Sequence, residues 1–255
     1  MTLPQLTPAH ALFLDIDGTL LDLAATPDAV IVPPGLPDTL RTLQQRLGGA
    51  LAILSGRKLA DIDFLLRPGL PCAAEHGVLR RDLSGKITSS VERPAHYDHW
   101  VKIFNRYAQA MPGILVEEKQ FSLVLHYRRA PEHEAELHKL VTQLIAESDD
   151  AVLLLAHCAF ELKPKSGTKA EALAHFMTTP PFAGRTPIFI GDDTTDEPAI
   201  AMANTLGGHG LHVARDFGGK TEAVRVCLSK YGQGAPPPGP PLGPRAPNPI
   251  SFLRF

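Results

Sequence analysis

Ala11-Leu12-Phe13-Leu14-Asp15-Ile16-Asp17-Gly18-Thr19 decides how the chain is read. Four apolar residues run without interruption and stop at an acid. That is the pattern of a short strand buried on both faces of a parallel sheet. The acid then falls at the strand's carboxyl end, where open α/β sheets bind their ligands. Asp15 and Asp17 are two residues apart, so in an extended chain their side chains point the same way. Gly18 lets the chain turn sharply away. An Asp-Gly turn with incidental acids is the plainer alternative for so short a stretch.

Two further runs repeat the pattern. Leu51-Ala52-Ile53-Leu54 stops at Ser55, and Pro187-Ile188-Phe189-Ile190 stops at Gly191-Asp192-Asp193. Three such strand ends can meet at one site. Helical spacing lies between them. Leu36, Leu40, Leu43 and Leu47 recur every three to four residues before a Gly48-Gly49 stop. Lys58–Leu66 follows the second run, and Lys169–Met177 and Glu197–Leu206 flank the third. The alternation predicts a doubly wound α/β fold with a parallel sheet.

The middle of the chain has another rhythm. Phe121–Arg128 alternates, with Phe121, Leu123, Leu125 and Tyr127 on one face, as in a half-buried strand. Pro131–Ser148 carries Leu137, Leu140, Val141, Leu144 and Ile145 on one helical stripe. Ala151–Ala156 and Ala159–Leu162 are two more strand candidates. This block predicts a small inserted α+β cap over residues 92–162, between core segments 1–91 and 163–231. From Gly232 onward the composition turns to Pro and Gly. Such a segment buries too little apolar surface to offset its ordering entropy, and a disordered tail is expected over 232–255.

Composition sets outer bounds. Hydrophobic residues make up 44% of the 255, enough for a sizeable core. A net charge of -2 and a pI near 6.6 give no reason to expect nucleic acid or an anionic membrane as partner. Cys72, Cys158 and Cys227 are odd in number and widely spaced, which suggests neither a disulfide framework nor a zinc site. Met1–His10 has no signal-peptide pattern, and no apolar run is long enough to span a bilayer. A cytoplasmic location is expected.

The polar residues at the strand ends suit phosphoryl transfer. Asp15 can act as nucleophile through an aspartyl-phosphate. Asp17 can protonate the leaving alcohol and later activate water. Thr19 can donate to phosphate. Ser55 can bond the transferring group, although it serves equally as an N-cap for the helix behind it. Asp192, Asp193, Asp196 and Glu197 place four acids in six residues. Mg²⁺ takes oxygen ligands of this kind, while an acid-rich helix start explains them too. Lys169 opens a helix, where a cation is disfavoured unless it shares an anion with the helix N-terminus. Lys163 and Lys165 compete for that role.

In this order the four elements resemble the motifs of the haloacid dehalogenase superfamily, in which a second Asp at the position of Asp17 implies a phosphatase or phosphotransferase. Ser55-Gly-Arg57, Ala74-Glu-His-Gly77, Glu118-Lys119, Leu125-His-Tyr-Arg128, Glu161-Leu-Lys-Pro164 and Gly191-Asp-Asp-Thr-Thr-Asp-Glu197 are similar to the trehalose-6-phosphate phosphatase family over about residues 10–230. The resemblance implies Mg²⁺ held by Asp15, the backbone carbonyl of Asp17, and Asp192, with Asp193 and Asp196 in support. It implies Asp15 as nucleophile, Asp17 as acid and base, and Ser55 and Lys169 on the phosphoryl group, with Gly18, Thr19 and Arg57 beside them. Glu118, Lys119, His126, Arg128, Glu161 and Lys163 would grip the sugar or its phosphate from the cap. A trehalose-phosphate synthase is the implied partner. The alternatives are a phosphatase of the same superfamily for another sugar or polyol phosphate, and a non-catalytic sugar-phosphate-binding or scaffold domain. Two departures stand out: Ala170 follows Lys169 where the family usually has Gly, and the Pro-rich end replaces a last core segment.

Overall fold

The computed structural model describes residues 6–24, 29–67, 69–156 and 158–233. Its first part comprises β1 (His10–Leu14), α1 (Leu36–Arg46), β2 (Leu51–Leu54), α2 (Leu59–Leu66), β3 (Cys72–Ala74), β4 (Leu79–Arg81) and β5 (Ile87–Ser89). The middle holds α3 (Tyr97–Ala110), β6 (Leu115–Glu118), β7 (Leu123–His126), α4 (Glu134–Ala146), β8 (Ala151–Ala156) and β9 (Ala159–Pro164). The last part is α5 (Lys169–Met177), β10 (Thr186–Gly191), α6 (Glu197–Thr205), β11 (His209–His212), α7 (Val213–Asp216) and α8 (Thr221–Gln233).

The larger sheet has the order β11-β10-β1-β2-β3-β4-β5. From β11 to β3 neighbouring strands are parallel, and β4 and β5 are antiparallel additions. All four residues of β2, and Ala11 to Leu14 of β1, are fully buried, which is why their sequences are continuous apolar runs rather than alternations. Helices on both faces make that burial. Phe13 stacks on Phe182 with ring centroids 5.4 Å apart and meets Phe176 of α5 at 6.1 Å. Register does the rest. Leu14 lies opposite Ile190 on one side and Ile53 on the other. The residues that follow, Asp15, Gly191-Asp192 and Leu54-Ser55, therefore emerge at one level.

The smaller sheet, in the order β6-β7-β9-β8, is antiparallel throughout. Leu123, Leu125, Phe160 and Leu162 share one face and build a second core with Trp100 and Phe104 of α3 and Leu137 and Val141 of α4. The opposite face carries the paired Val124 and Glu161, and His126 beside Ala159.

Several expectations shift in detail. The alternation of 121–128 forms a strand only over Leu123–His126, and Phe121 leaves that face to bury itself in the core of the larger sheet. Lys163 and Pro164 still pair with Val152 and Ala151, so the smaller sheet runs past residue 162. Gly232 and Gln233, expected in the tail, instead close α8, whose Val224 and Leu228 are buried in the core of the larger sheet. Residues 234–255, where the rest of that tail falls, lie outside the described residues. Ala170 sits in the first turn of α5. All three cysteines are free thiols. Among the described residues no helix is long and apolar enough to cross a membrane.

Candidate active site

Asp15 follows the last residue of β1 and is 4% exposed. Lys169, the first residue of α5, donates from Nζ to Asp15 Oδ1 at 2.7 Å and to Asp196 Oδ1 at 2.7 Å. Thr168 and Glu171 form a reciprocal cap on that helix, which fixes where Lys169 starts. Burial alone would lower the Lys169 ammonium, but Asp15 and Asp196 outweigh it and hold it above its usual value.

Carboxylate oxygens of Asp15, Asp192 and Asp196 lie within 4.8 Å of one another. Burial pushes the Asp15 carboxyl well up, Asp196 and Asp192 add to the rise, and Lys169 opposes it. Burial, Asp193 and Asp196 push Asp192 up to about 6. Three carboxyls thus face one ammonium, and the excess negative charge on oxygen donors fits a hard divalent cation such as Mg²⁺. The three are not equivalent. Asp196 spends Oδ1 on Lys169 and Oδ2 on the N–H groups of Asp192 and Asp193, at 3.0 and 3.3 Å. It shapes the loop that presents Asp192. Asp193 is exposed, and its Oδ1 accepts from the N–H and hydroxyl of Thr195. Both acids are thus engaged within the loop that carries Asp192.

The residues after Asp17 serve Asp192. Gly18 has φ +74°, and a Cβ there would lie 1.9 Å from Asp192 Oδ2. No other residue type allows that approach. Thr19 is fully buried and its hydroxyl is directed at Asp192 Oδ1, 3.4 Å away. The expectation that Thr19 donates to phosphate is corrected: in a turn this tight its side chain points back beneath the site.

Asp17 is gripped by Arg57, with Nε 2.7 Å from Oδ2 and Nη2 2.6 Å from Oδ1. Such two-pronged pairs are the strongest class of side-chain hydrogen bond. Ser55, 1% exposed at the end of β2, accepts the Arg57 N–H at 3.2 Å, which starts the turn that aims the guanidinium.

Asp17, Gly56, Arg57 and His76 line one wall of a cleft, and Glu117, Lys119, His126, Arg128 and Glu161 line the other. Glu161, 4% exposed, is the hub of that second wall. Its Oε1 accepts from Lys119 Nζ at 2.9 Å and from the Ser122 hydroxyl at 2.6 Å, and His76 Nε2 is 3.2 Å from Oε2. Lys119 also donates to the Gly56 carbonyl at 3.0 Å. Burial would raise Glu161, but Lys119 and His76 outweigh it and hold the carboxyl well below the usual range. Burial pushes His76 down. Glu117 pairs with His126 at 3.0 Å.

Two sequence candidates fall elsewhere. Glu118 does not line the cleft. It is exposed on the helix side of β6, where its Oε1 accepts from Asn105 at 3.4 Å. Neighbours on a strand face opposite ways, so the cleft receives Glu117 instead. Lys163 is buried and turns its Nζ onto the carbonyl of Pro164 at 2.9 Å, away from the cleft walls. Glu117, His76 and Asp61 are polar residues of the cleft lining to which sequence reasoning assigned no role. The signal for Glu117 was there: it shares its parity with Lys119.

The trehalose-phosphatase family model matches residues 13–224, which include every residue placed above. Trehalose-6-phosphate phosphatase of Escherichia coli K12 is 40% identical over 213 residues, covering 82% of this chain and 79% of its own. A probable trehalose-phosphate phosphatase of Sinorhizobium fredii is 42% identical over 205 residues, 80% of this chain and 77% of its own. The C-terminal domain of a Candida albicans trehalose-6-phosphate phosphatase has the same fold, with a TM-score of 0.75 at 21% identity over 89% of this chain and 92% of that one. With the family matched across both walls of the cleft and relatives at about 40% identity over four-fifths of the chain, this protein belongs to the trehalose-phosphatase family.

Proposed function

We propose that the protein hydrolyses trehalose 6-phosphate to trehalose and phosphate, with Mg²⁺ as cofactor and an aspartyl-phosphate on Asp15. One observation carries the reading. Asp15, buried and paired with Lys169, is two residues from Asp17, which lines a cleft whose opposite wall carries Glu117, Lys119, His126, Arg128 and Glu161, a set of donors and acceptors suited to sugar hydroxyls.

The chemistry follows from the residues. Asp15 and Asp192 would hold Mg²⁺ by their side chains and Asp17 by its backbone carbonyl. The ion supplies positive charge to phosphoryl oxygens that otherwise repel an anionic nucleophile. An Asp15 oxygen bonds to phosphorus as the bond to the sugar oxygen breaks, and Asp17 gives that oxygen its proton. Asp17 then takes a proton from the water that attacks phosphorus and frees Asp15. Lys169 and Ser55 hold the phosphoryl oxygens. Arg57 occupies both Asp17 oxygens, so Asp17 reaches the leaving group only once that fork opens, and the substrate phosphate is the natural competitor for the guanidinium. Glu117, Lys119, Glu161, His126 and Arg128 bind sugar hydroxyls. A ligand lacking those hydroxyls offers nothing in exchange for the internal hydrogen bonds it disturbs, and is discriminated against. The partner implied by this reading is a trehalose-phosphate synthase, as the source of substrate, in the cytoplasm.

The test is phosphate release from trehalose 6-phosphate and from other hexose phosphates, with Mg²⁺ and in chelator. The expected result is preference for trehalose 6-phosphate, silence in chelator, recovery with Mg²⁺ and poor recovery with the larger Ca²⁺. Equal rates on glucose 6-phosphate would favour the broader sugar-phosphatase reading, and full activity in chelator would overturn the metal.

A further inference from the structure

Glu75-His76-Gly77 takes no part in the chemistry above, yet it has φ values of +47°, +64° and +126° in succession. Residues with side chains rarely adopt this region and persist there only where their surroundings impose it. Each of the three meets a different part of the site. Glu75 is 2% exposed, and its carboxylate accepts the N–H of Gln120 on Oε1 and of Phe121 on Oε2, both at 2.9 Å. His76 reaches Glu161 and lies so close to Gly56 that a Cβ there would be 2.6 Å from its ring. Gly77 runs against the start of α5, where a Cβ would lie 2.3 Å from the Thr168 carbonyl oxygen.

Gln120 and Phe121 form the turn between β6 and β7, directly after Lys119. Three other contacts hold that turn: the Tyr97 hydroxyl on the Lys119 carbonyl at 2.6 Å, Arg93 Nε on the Gln120 carbonyl at 3.0 Å, and the Lys119 N–H on the Ser122 carbonyl at 2.9 Å. Arg93, Tyr97 and Ser122 move with the smaller sheet's own segment. Glu75 comes from the larger sheet, and Phe121 is buried in that sheet's core. The turn is therefore seated on the catalytic half of the molecule, far in sequence from where the smaller sheet joins it.

We propose that Glu75-His76-Gly77 is a positioning element that sets the sugar-binding groups in register with the phosphate-binding ones. Glu75 fixes Lys119 through the turn, His76 fixes the Glu161 carboxylate, and Gly77 keeps both at a set distance from the helix that carries Lys169. Glu75 acts through Lys119 and touches no reacting atom. The inference rests on the reading of Lys119 and Glu161 as sugar-binding groups.

The experiment compares kcat/KM for trehalose 6-phosphate and for p-nitrophenyl phosphate, a small ester that does not engage the far wall. The variants are Glu75→Gln, Lys119→Ala and the double variant, each with loaded metal and a checked Tm. Glu75→Gln turns an amide donor toward a backbone donor. It should lower kcat/KM for trehalose 6-phosphate about ten- to a hundredfold, mostly through KM, and change the small ester less than about twofold. The double variant should be no worse than Lys119→Ala, because one residue acts through the other. His76→Asn, which tolerates positive φ but falls short of Glu161, is the second variant and should show the same split. Equal losses on both substrates, additive losses in the double variant, or full sugar selectivity in a folded Glu75→Gln or His76→Asn protein would overturn the proposal. If Lys119→Ala itself leaves the substrate ratio unchanged, the sugar-binding reading fails. If Lys119→Ala is selective and Glu75→Gln is not, only the positioning role fails.

Discussion

At the carboxyl end of the larger sheet, Asp15, Asp192 and Asp196 crowd within 4.8 Å, with Lys169 as their counter-charge. Across the cleft, the single carboxylate of Glu161 meets Lys119, His76 and Ser122. Both clusters are buried, yet their electrostatics run in opposite senses. The first holds Asp15 well above its ordinary value and Asp192 up to about 6. The second holds Glu161 well below. A site with excess negative charge is built to receive a cation and, through it, a phosphate. A site that already satisfies itself is built to exchange partners, giving up internal hydrogen bonds for hydroxyls of similar worth. Damage to the first should therefore be felt by every substrate, and damage to the second only by the sugar.

The largest break is Asp15→Asn. An amide keeps the shape but is a poor nucleophile and a weak metal ligand, and loss on the order of 10⁴-fold or more is expected on any phosphate ester. Substantial turnover by a cleanly folded variant would remove the covalent route. Asp17→Asn comes next, at ~10²–10⁴-fold for trehalose 6-phosphate, because the sugar oxygen must leave without its proton. p-Nitrophenolate needs no proton to leave, so the small ester should keep more of its rate. Equal losses on both would deny Asp17 the acid role.

On the opposite wall the contrast sharpens to neighbouring residues. Glu117 lines the cleft and Glu118 faces the helices. Glu117→Ala should cost trehalose 6-phosphate about ten- to a hundredfold in kcat/KM and leave p-nitrophenyl phosphate nearly unchanged. Glu118→Ala should change neither by more than about twofold. Kinetics on the two variants side by side decide it, and the reverse order would mean that the strand register seen here is not the one that binds sugar.

That pair also marks where sequence reading runs out. β1, β2 and β10 were legible because strands covered on both faces must be apolar throughout, and each run ends in a polar residue the fold has a use for. Asp15, Ser55 and Asp192 follow from that logic, whereas Lys169 stands out only as a cation at the start of a helix. β3, β4 and β5 have three residues each, too few to show a period, and Cys72-Ala-Ala74 is small rather than β-branched. β6 has four, and a slip of one residue on a strand moves every side chain to the other face. Glu118-Lys119 reads naturally as a pair along the chain, whereas the pair across the cleft wall is Glu117 and Lys119. The Arg57–Asp17 fork spans 40 positions and the Thr19–Asp192 contact 173, so neither leaves a local trace. Lys163 shares a strand face with Glu161, and nothing in its neighbours shows that its amine will turn back onto a carbonyl.

The smallest effect tests the charge contrast itself. A glutamate in an unfolded chain titrates near ~4.3. In the native protein Glu161 lies well below that, since Lys119 and His76 outweigh burial. The native state therefore binds fewer protons than the unfolded state as pH falls through that range. Glu161 contributes stability that is fully present above the unfolded value and is lost as pH drops toward the native one. Glu161→Gln removes the titration and leaves Lys119 without its charge partner, so the variant should melt below the wild type at neutral pH. The gap should amount to a few degrees, given about 2–4 °C per kcal/mol for a chain of this size. It should narrow as the pH is lowered from about 5 through about 4.3 and below, because there the unfolded wild type takes up a proton that native Glu161, still ionised, does not. Thermal melts of both proteins across the range give the answer directly. A gap that stays constant with pH would mean that Glu161 is not held ionised by its partners, and the cluster on the smaller sheet would then differ from that on the larger one in geometry alone.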